Sequence, residues 1–312
     1  MRDALEWVAK ATGAKSARRA ERIQSLWSGY GEIVRVELTG ADVETVVLKS
    51  VQPPARTRGA ESDASHARKC RSYDVETTWY RTLASRCDER CRVPRRLDSW
   101  SANEQWLIAL EDIDAAGYPV RRSDPSAIEL DSCLRWLAAF HARFLGVAPD
   151  GLWKVGTYWH LATRADELAA MDDAELRAAA PELDRRLRAC TFSTLVHGDA
   201  KPANFCFARD GRSVAAVDFQ YVGGGCGMKD VAYLLSGEAT EERSLDDYFV
   251  HLRRELAQRS EPVDIEALER EWRVLYPIAR ADYHRFLAGW AKEHWRRDTH
   301  AQRLTRDVLR AL

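Results

Sequence analysis

The chemically densest stretch of this 312-residue chain reads Leu195-Val196-His197-Gly198-Asp199-Ala200-Lys201-Pro202-Ala203-Asn204-Phe205-Cys206-Phe207-Ala208, and it runs on to Val217-Asp218-Phe219. Residues 205–208 and 214–217 have the look of short apolar strands. Arg209-Asp210-Gly211-Arg212 between them contains Asp-Gly, a strong hairpin-turn signal. Asn204 and Asp218 each stand seven residues from Gly211. A hairpin closed there predicts that both reach the same open end, on strands roughly 4.8 Å apart. Asp199 lies on the loop feeding that end, so two carboxylates and a carboxamide are expected to converge. Hard oxygen donors of this kind suit Mg²⁺, which takes one or two carboxylates together with phosphate oxygens. Phosphoryl transfer needs such an ion, and it needs a base that orients the attacking hydroxyl. On this reading Asp199 is the base, and Asn204 and Asp218 are the metal ligands. Each residue alone would pass for part of a solvated loop, with Asp199 capping a turn. The three together at this spacing favour the chemistry.

The elements that must position these residues can be read coarsely from periodicity. Residues 3–23 look helical. Ile33-Val34-Arg35-Val36-Glu37-Leu38 alternates apolar and polar, and with Thr45-Val46-Val47-Leu48-Lys49 it forms an expected hairpin across Thr39-Gly40-Ala41-Asp42. Residues 51–65, with Pro53-Pro54 and Gly59, read as a mobile loop. A long helix is expected over 67–85 and a buried strand over 105–110. Beyond residue 112 the pattern is mostly helical, at about 125–145, 160–190, 229–236, 240–258 and 265–310, interrupted by one β-island at 194–222. The first third is thus β-rich and the remainder α-rich. The expected organisation is α+β, with an N-terminal lobe over 1–112 and a larger helical C-terminal lobe over 113–312.

The string His197-Gly198-Asp199-x-x-x-x-Asn204, followed after a short hairpin by Val217-Asp218-Phe219, resembles the catalytic and metal-binding loops of the aminoglycoside phosphotransferase and choline kinase superfamily. Gly198 stands where protein kinases carry Arg. Gln220 stands where they carry the Gly of Asp-Phe-Gly, and Asp218-Phe219-Gln220 looks most like the ecdysteroid kinase-like branch. The resemblance implies a bilobal protein-kinase-like fold and an ATP- and Mg²⁺-dependent kinase acting on a hydroxyl of a small molecule. Lys201 resembles the catalytic-loop Lys of many kinases and could stabilise the transferring group; its other reading is a solvent-facing Lys before Pro202. A kinase fold requires a Lys on its third strand and a Glu on the next helix. Lys49 ends the predicted strand, and Glu76 shares a helix face with Tyr80 and Leu83, with Glu61 and Asp74 as competitors. Ser28-Gly29-Tyr30-Gly31-Glu32 lies where the phosphate-covering loop would be. Val34 stands at the third glycine position, and a plain turn would equally explain Gly29 and Gly31. Leu107 to Ile113 resembles the strand-to-hinge segment, whose backbone from Glu111 to Ile113 would meet the adenine. Asp230 is expected to cap the helix after Gly223-Gly224-Gly225-Cys226-Gly227 and to brace the catalytic loop. His141 is expected to be core. The resemblance runs from about Gly29 to Trp290, and only the motifs at 197–219 are specific.

Composition narrows the alternatives. Hydrophobic residues make up 46% of the chain, and the net charge is -1 from 47 basic and 48 acidic residues, so neither nucleic acid nor a membrane surface is an expected partner. The N-terminus lacks the apolar core of a signal peptide. The seven scattered cysteines read as reduced thiols in a cytoplasmic protein. Cys70, Cys87 and Cys91 lack a second Cys or His pair at finger-like spacing. Gly-x-Ser-x-Gly is absent, and Cys206 belongs to a strand rather than to a nucleophile pair with His197. Trp153, Tyr158, Trp159 and His160, or Tyr283, Phe286, Trp290 and Trp295, are candidate walls of the acceptor site. Arg164 and Arg177 interleave with Asp166, Glu167, Asp172, Asp173 and Glu175, which disfavours a polycationic acceptor and favours a neutral or amphipathic alcohol. Two other readings are a kinase-fold regulatory protein without turnover and a protein kinase, the latter against the lack of an Ala-Pro-Glu-type segment. The oligomeric state is not legible.

Overall fold

The computed structural model describes residues 2–54, 63–237 and 241–312. Along the chain come α1 (Arg2–Thr12), β1 (Ser16–Ser25), β2 (Gly31–Thr39), β3 (Thr45–Val51), α2 (Asp63–Thr82), β4 (Arg96–Ala102), β5 (Gln105–Glu111) and β6 (Val120–Arg121). There follow α3 (Ala127–Arg143), α4 (Ala165–Ala170), α5 (Ala174–Arg188), β7 (Thr194–Val196), β8 (Phe205–Phe207), β9 (Val214–Ala216) and β10 (Gly223–Gly225). The chain ends with α6 (Met228–Leu234), α7 (Glu241–Leu256), α8 (Ile265–Trp290), α9 (Lys292–Arg297) and α10 (Thr299–Arg310). The architecture is α+β as expected, sheet-rich at the N-terminal end and helical towards the C-terminal end. Residues 55–62 of the expected loop, and Glu61 with them, lie outside the described residues.

Two compact units form, Met1–Arg122 with Phe205–Gln220, and Ser123–Asn204 with Tyr221–Leu312. The division expected after residue 112 falls inside the first unit. The reason is a small sheet: β6 pairs with β8 and β8 with β9, so the 205–220 hairpin belongs with residues 113–122. Ile113, Cys206 and Ala215 are buried together there.

The main sheet of the first unit has the order β1-β2-β3-β5-β4 and is antiparallel throughout. Alternation gives it two faces. Val34, Val36, Val46 and Leu48 pack with Ala4 and Val8 of α1, which are four residues apart on one helix face. Val51 lies with Tyr73 of α2, Trp106 of β5, Leu26 and Tyr30. Lys49 is two residues from Val51 and shares its face. The helix expected over 3–23 stops at Thr12, because Gly13 takes a φ of +69°, the left-handed conformation that ends helices. Residues 16–25 then pair with β2, Ser16 opposite Thr39, and ion pairs from Arg18 to Glu37 and from Arg19 to Glu32 tie the two strands. Tertiary pairing overrides the helical propensity of this charged segment.

In the second unit, α3 begins with a reciprocal cap in which the Glu129 N–H donates to Ser126 Oγ and the Ser126 N–H donates to Glu129 Oε2. The long α8 packs against α5, α6 and α10. The single helix expected over 265–310 is broken at Ala291 and again at Asp298, whose carboxylate caps α10 by accepting the Ala301 N–H at 2.9 Å. Among the described residues no helix is long and apolar enough to cross a membrane.

Candidate active site

The expected residues fall into two groups, one in each unit. In the first unit Lys49 and Glu76 are both buried, and Lys49 Nζ lies 2.6 Å from Glu76 Oε2. The same ammonium lies 3.3 Å from Asp218 Oδ1. Glu76 also accepts the backbone N–H of Phe219. Burial works against the charged Lys49, but the Glu76 and Asp218 carboxylates outweigh it and hold the ammonium well above its ordinary range. The Lys, Glu and Asp brought together here come from a strand, a helix and a loop separated by 27 and 169 residues along the chain. Glu76 is therefore the helix acid that meets Lys49; Asp74 instead accepts the indole N–H of Trp106.

Asp218 takes a φ of +67°, a conformation Asp tolerates better than most residues. The next residue anchors this turn. Phe219 is fully buried and stacks on Trp79 of α2 at 4.7 Å, with Tyr80 edge-on at 6.0 Å. Gln220 accepts from Ser72 of the same helix at 3.3 Å. The helix that carries Glu76 thus also holds the loop that carries Asp218. The hairpin before Asp218 is centred between Asp210 and Gly211 rather than on Gly211, since Phe205 faces Ala216 and Phe207 faces Val214. Gly211, at φ +69°, donates its N–H to the Ala208 carbonyl, which makes the turn asymmetric.

Gly29 lies in the turn between β1 and β2, and Gly31 opens β2. Gly29 has φ +74° after Ser28 at +56°. Gly31 is needed for close packing, because a Cβ there would sit 2.0 Å from the Ser50 carbonyl oxygen on β3. Glu111 closes β5 and Ile113 follows two residues later, but their side chains are committed elsewhere. Both Glu111 carboxylate oxygens lie 2.7 Å from Arg92, and one also accepts the Arg95 N–H. Burial pushes the Glu111 carboxyl up, and the Arg92 hydrogen bonds outweigh it and lower it. Ile113 is buried, and its carbonyl accepts the Tyr118 N–H.

In the second unit the loop expected to be catalytic is held by an acid 33 residues further on. Asp230 accepts the backbone N–H of His197 at 2.6 Å and that of Gly198 at 2.9 Å. His141, fully buried as expected, bridges Asp230 at 3.2 Å and the Tyr248 hydroxyl at 2.8 Å. Asp230 braces the loop, but it does not cap α6. The cap position belongs to Gly227, and Asp230 lies in the first turn, where its carboxylate turns to the loop amides. Gly198 has φ +83°, and a Cβ on it would lie 2.1 Å from the Tyr221 carbonyl oxygen. No other residue fits where the loop passes Tyr221.

This loop presents Asp199, whose side chain is largely buried. Lys201 Nζ lies 2.7 Å from Asp199 Oδ2. The Asn204 amide donates to Asp199 Oδ2 and to the Asp199 carbonyl, both at 2.8 Å. Lys201 is thus partnered to the expected base rather than simply solvated. With its nitrogen turned to Asp199, Asn204 has an oxygen as its remaining donor atom.

The two expected aromatic walls are not separate. Trp159 from one and Tyr283 and Phe286 from the other form one cluster, with Tyr158 and with Tyr233 of α6 against it. The Tyr158 hydroxyl lies 3.3 Å from that of Tyr233. Burial, and then the charge of Asp199, push the Tyr233 hydroxyl up, and Tyr283 is pushed up to about 12 by burial with a contribution from Asp199. The expected base therefore faces phenolic groups. Tyr233 carries no signal in the sequence beyond its place three residues after Asp230. Four of the five acids expected near a cation site are ion-paired. Asp172 pairs with Lys292 and Arg296, Asp173 and Glu175 with Arg306, and Glu167 with Arg164. A cavity of about 410 Å³ beside α8 and α10, lined by Val274, Ile278, His284 and Val308, holds none of the expected site residues.

Residues 34–262 match a family described as the phosphotransferase enzyme family, APH. No curated protein sequence matches the chain. Among solved structures, a Thermobifida fusca YX-ER1 protein described as a fructosamine-3-kinase superposes with a TM-score of 0.55 at 18% identity, covering 99% of each chain. A Haemophilus somnus 129PT protein of the same description gives 0.51 at 12% identity, over 98% of this chain and 95% of that one. A thermostable mutant of aminoglycoside phosphotransferase APH(4)-Ia gives 0.51 at 14% identity over 98% of each. At such identities these likenesses speak for the fold, which is kinase-like. The family match, spanning well over half of the sequence, shows that the chain belongs to the phosphotransferase enzyme family.

Proposed function

We propose that this protein transfers the γ-phosphoryl group of ATP to a hydroxyl of a small, neutral or amphipathic alcohol, with the first unit binding nucleotide and the second supplying base and acceptor site. The observation that carries this reading is the environment of Asp199. Its carboxylate is fixed by Lys201 at 2.7 Å and Asn204 at 2.8 Å, on a loop whose amides are clamped by Asp230. A base so held can accept the acceptor's hydroxyl proton as the phosphoryl group departs. Lys201, beside it, would stabilise the charge of the group in flight. Lys49, aligned by Glu76, would bind the α- and β-phosphates, and the 27–31 turn with Gly29 and Gly31 would cover them. The backbone from Glu111 to Ile113 would receive the adenine.

The donor set fits magnesium. Asn204 offers an amide oxygen and Asp218 a carboxylate, which is the hard-oxygen chemistry this ion requires. Bound there with the nucleotide, it would neutralise the phosphate charge. The aromatic cluster of Trp159, Tyr233, Tyr283 and Phe286 supports an acceptor with an apolar body, and the paired acids around Asp172 argue against a polycation. The Asp218-Phe219-Gln220 run keeps the ecdysteroid kinase-like branch as the preferred relative, and a cytoplasmic setting suits seven cysteines that form no disulfide.

The test is ATP consumption by the full chain against a panel of sugars, amino alcohols, sterols, macrolides and aminoglycosides, beside Asp199→Ala. Acceptor-dependent turnover that Asp199→Ala abolishes while ATP still binds supports the reading. Wild-type turnover by Asp199→Ala sinks it. Nucleotide binding without transfer to any acceptor points instead to a regulatory role, and labelling of generic protein substrates to a protein kinase.

A further inference from the structure

His66, Cys70 and Glu104 bring three metal-ligating atoms within 4.8 Å of one another in the first unit. Nothing in the phosphotransfer reading uses them. His66 and Cys70 are four residues apart on α2, hence on one face of the helix. Glu104 comes from the turn that joins β4 to β5, with Ala102 paired to Gln105 across it. We propose that these three side chains form a zinc site, with water as its fourth ligand.

The distances fit. Tetrahedral zinc, with bonds of about 2.3 Å to thiolate and about 2.0 Å to imidazole and carboxylate, requires a sulfur-to-nitrogen edge of roughly 3.6 Å and a nitrogen-to-oxygen edge of roughly 3.4 Å. Cys70 Sγ lies 3.6 Å from His66 Nε2. Glu104 Oε2 lies 3.9 Å from the same nitrogen, on an exposed side chain free to close the remaining gap. The other imidazole nitrogen, Nδ1, is 2.6 Å from the hydroxyl of Tyr30, a buried residue. Donation of Nδ1–H to Tyr30 is the outer hydrogen bond that orients metal-binding histidines and leaves Nε2 to the metal; Cys70 Sγ, which also lies 4.0 Å from Nδ1, would turn about its χ1 to meet the ion there.

The turn adds a second argument. Asn103 and Glu104 both take positive φ, 51° and 55°. A two-residue turn of this type favours Asn-Gly, and Glu at its second position is strained. Glu104 retains a carboxylate where glycine would be easier, and that carboxylate faces His66. The thiolate, imidazole and carboxylate set selects zinc over magnesium, for which sulfur is a poor ligand. On binding, the Cys70 thiol gives its proton to solvent and the sulfur bonds the metal. The bound ion would fasten the start of α2, the helix that carries Glu76, to the β4–β5 turn and, through His66, to Tyr30.

The test titrates the reduced, chelator-stripped full chain with Co²⁺ and then with Zn²⁺. One equivalent of Co²⁺ should produce a thiolate-to-cobalt charge-transfer band, which zinc then abolishes; an oxygen-ligated magnesium site cannot give this band. Cys70→Ser and His66→Ala should lose the band and bind zinc more than roughly a hundredfold more weakly, and Tyr30→Phe roughly tenfold more weakly. Cys87→Ser and Cys190→Ser, which change the other partly exposed thiols, should keep it. Glu104→Gln, on an exposed turn, leaves the fold undisturbed and should also weaken binding. A wild-type chain without the band, a band that survives Cys70→Ser, or unchanged zinc affinity in Glu104→Gln would overturn the site.

Discussion

Lys49 Nζ and Glu76 Oε2 stand 2.6 Å apart with both side chains buried, and they join a strand to the helix laid across the same sheet face. The pair sets the depth and rotation of α2 against β3. Because Phe219 and Gln220 are held by that helix, it sets the 218–220 turn as well.

Lys49→Met leaves the Glu76 carboxylate buried without its cation, and should cost about 3–5 kcal/mol in stability. Glu76→Leu alone should cost a comparable amount. The double variant, which removes both charges, should recover much of the loss, so urea unfolding of the four proteins should give strong coupling. Additive losses would mean that the pair does not act as a unit. Lys49→Met should also abolish ATP binding, a separate readout of its proposed role.

Asp230→Asn keeps the shape of the loop clamp but replaces one accepting oxygen with a donor. That donor must face the His197 N–H, the Gly198 N–H or His141. A stability loss of about 2 kcal/mol is expected. If Asp230 works through the loop, kcat should fall much more than the KM for ATP rises. A variant that raises the KM for ATP with kcat unchanged would place its effect in nucleotide binding instead.

Gly198→Ala must either move the Tyr221 carbonyl or leave the left-handed conformation, since the new Cβ would lie 2.1 Å from that oxygen. The expected cost is at least ~2 kcal/mol, with transfer activity lost because Asp199 follows directly. Thermal denaturation and a turnover assay check both halves. A stable, active Gly198→Ala enzyme would show that the loop tolerates displacement.

Which features could be read from the sequence depended on how far apart their partners lie. The 205–216 hairpin and the loop before it are local, and Asp-Gly with flanking apolar runs disclosed them; only the turn centre was misplaced. Lys49 and Glu76 are legible through the family resemblance, which asks for a Lys on the third strand and a Glu on the next helix; periodicity adds only that Glu76 shares a face with Tyr80 and Leu83. The clamp by Asp230 was half-legible. The brace on the loop is an expectation of the family resemblance and holds, whereas the expected cap does not, because the carboxylate goes to amides 33 residues earlier and Gly227 takes the cap position. The cluster joining Tyr158, Tyr233 and Tyr283 depends on how α6 and α8 pack, and no spacing encodes that. The strand over 16–25 was missed because its charged residues pair with Glu32 and Glu37 on β2, not with a core. The same distance hid the His66–Cys70–Glu104 cluster, whose third member sits on another element.

His284 of α8 is buried, with Nδ1 2.9 Å from the Thr305 hydroxyl of α10. Burial first, then the positive charge of Arg280, hold its imidazole down to about 4, with His300 and His294 acting the same way and Asp298 opposing. The folded protein therefore keeps His284 neutral at a pH where the unfolded chain, near the ordinary value of about 6.5, is protonated. Its contribution to stability is complete above pH ~6.5 and is lost as pH falls towards ~4. The loss should reach ~2 kcal/mol by pH 5. Carboxylates also titrate at the lower end of this range, so the measurement is a difference: urea midpoints from pH 7.5 to 5 for the wild type and for His284→Gln, whose amide can still meet Thr305. The wild type should lose stability more steeply than the variant. Parallel profiles would mean that His284 takes up its proton as readily in the fold as in the unfolded chain.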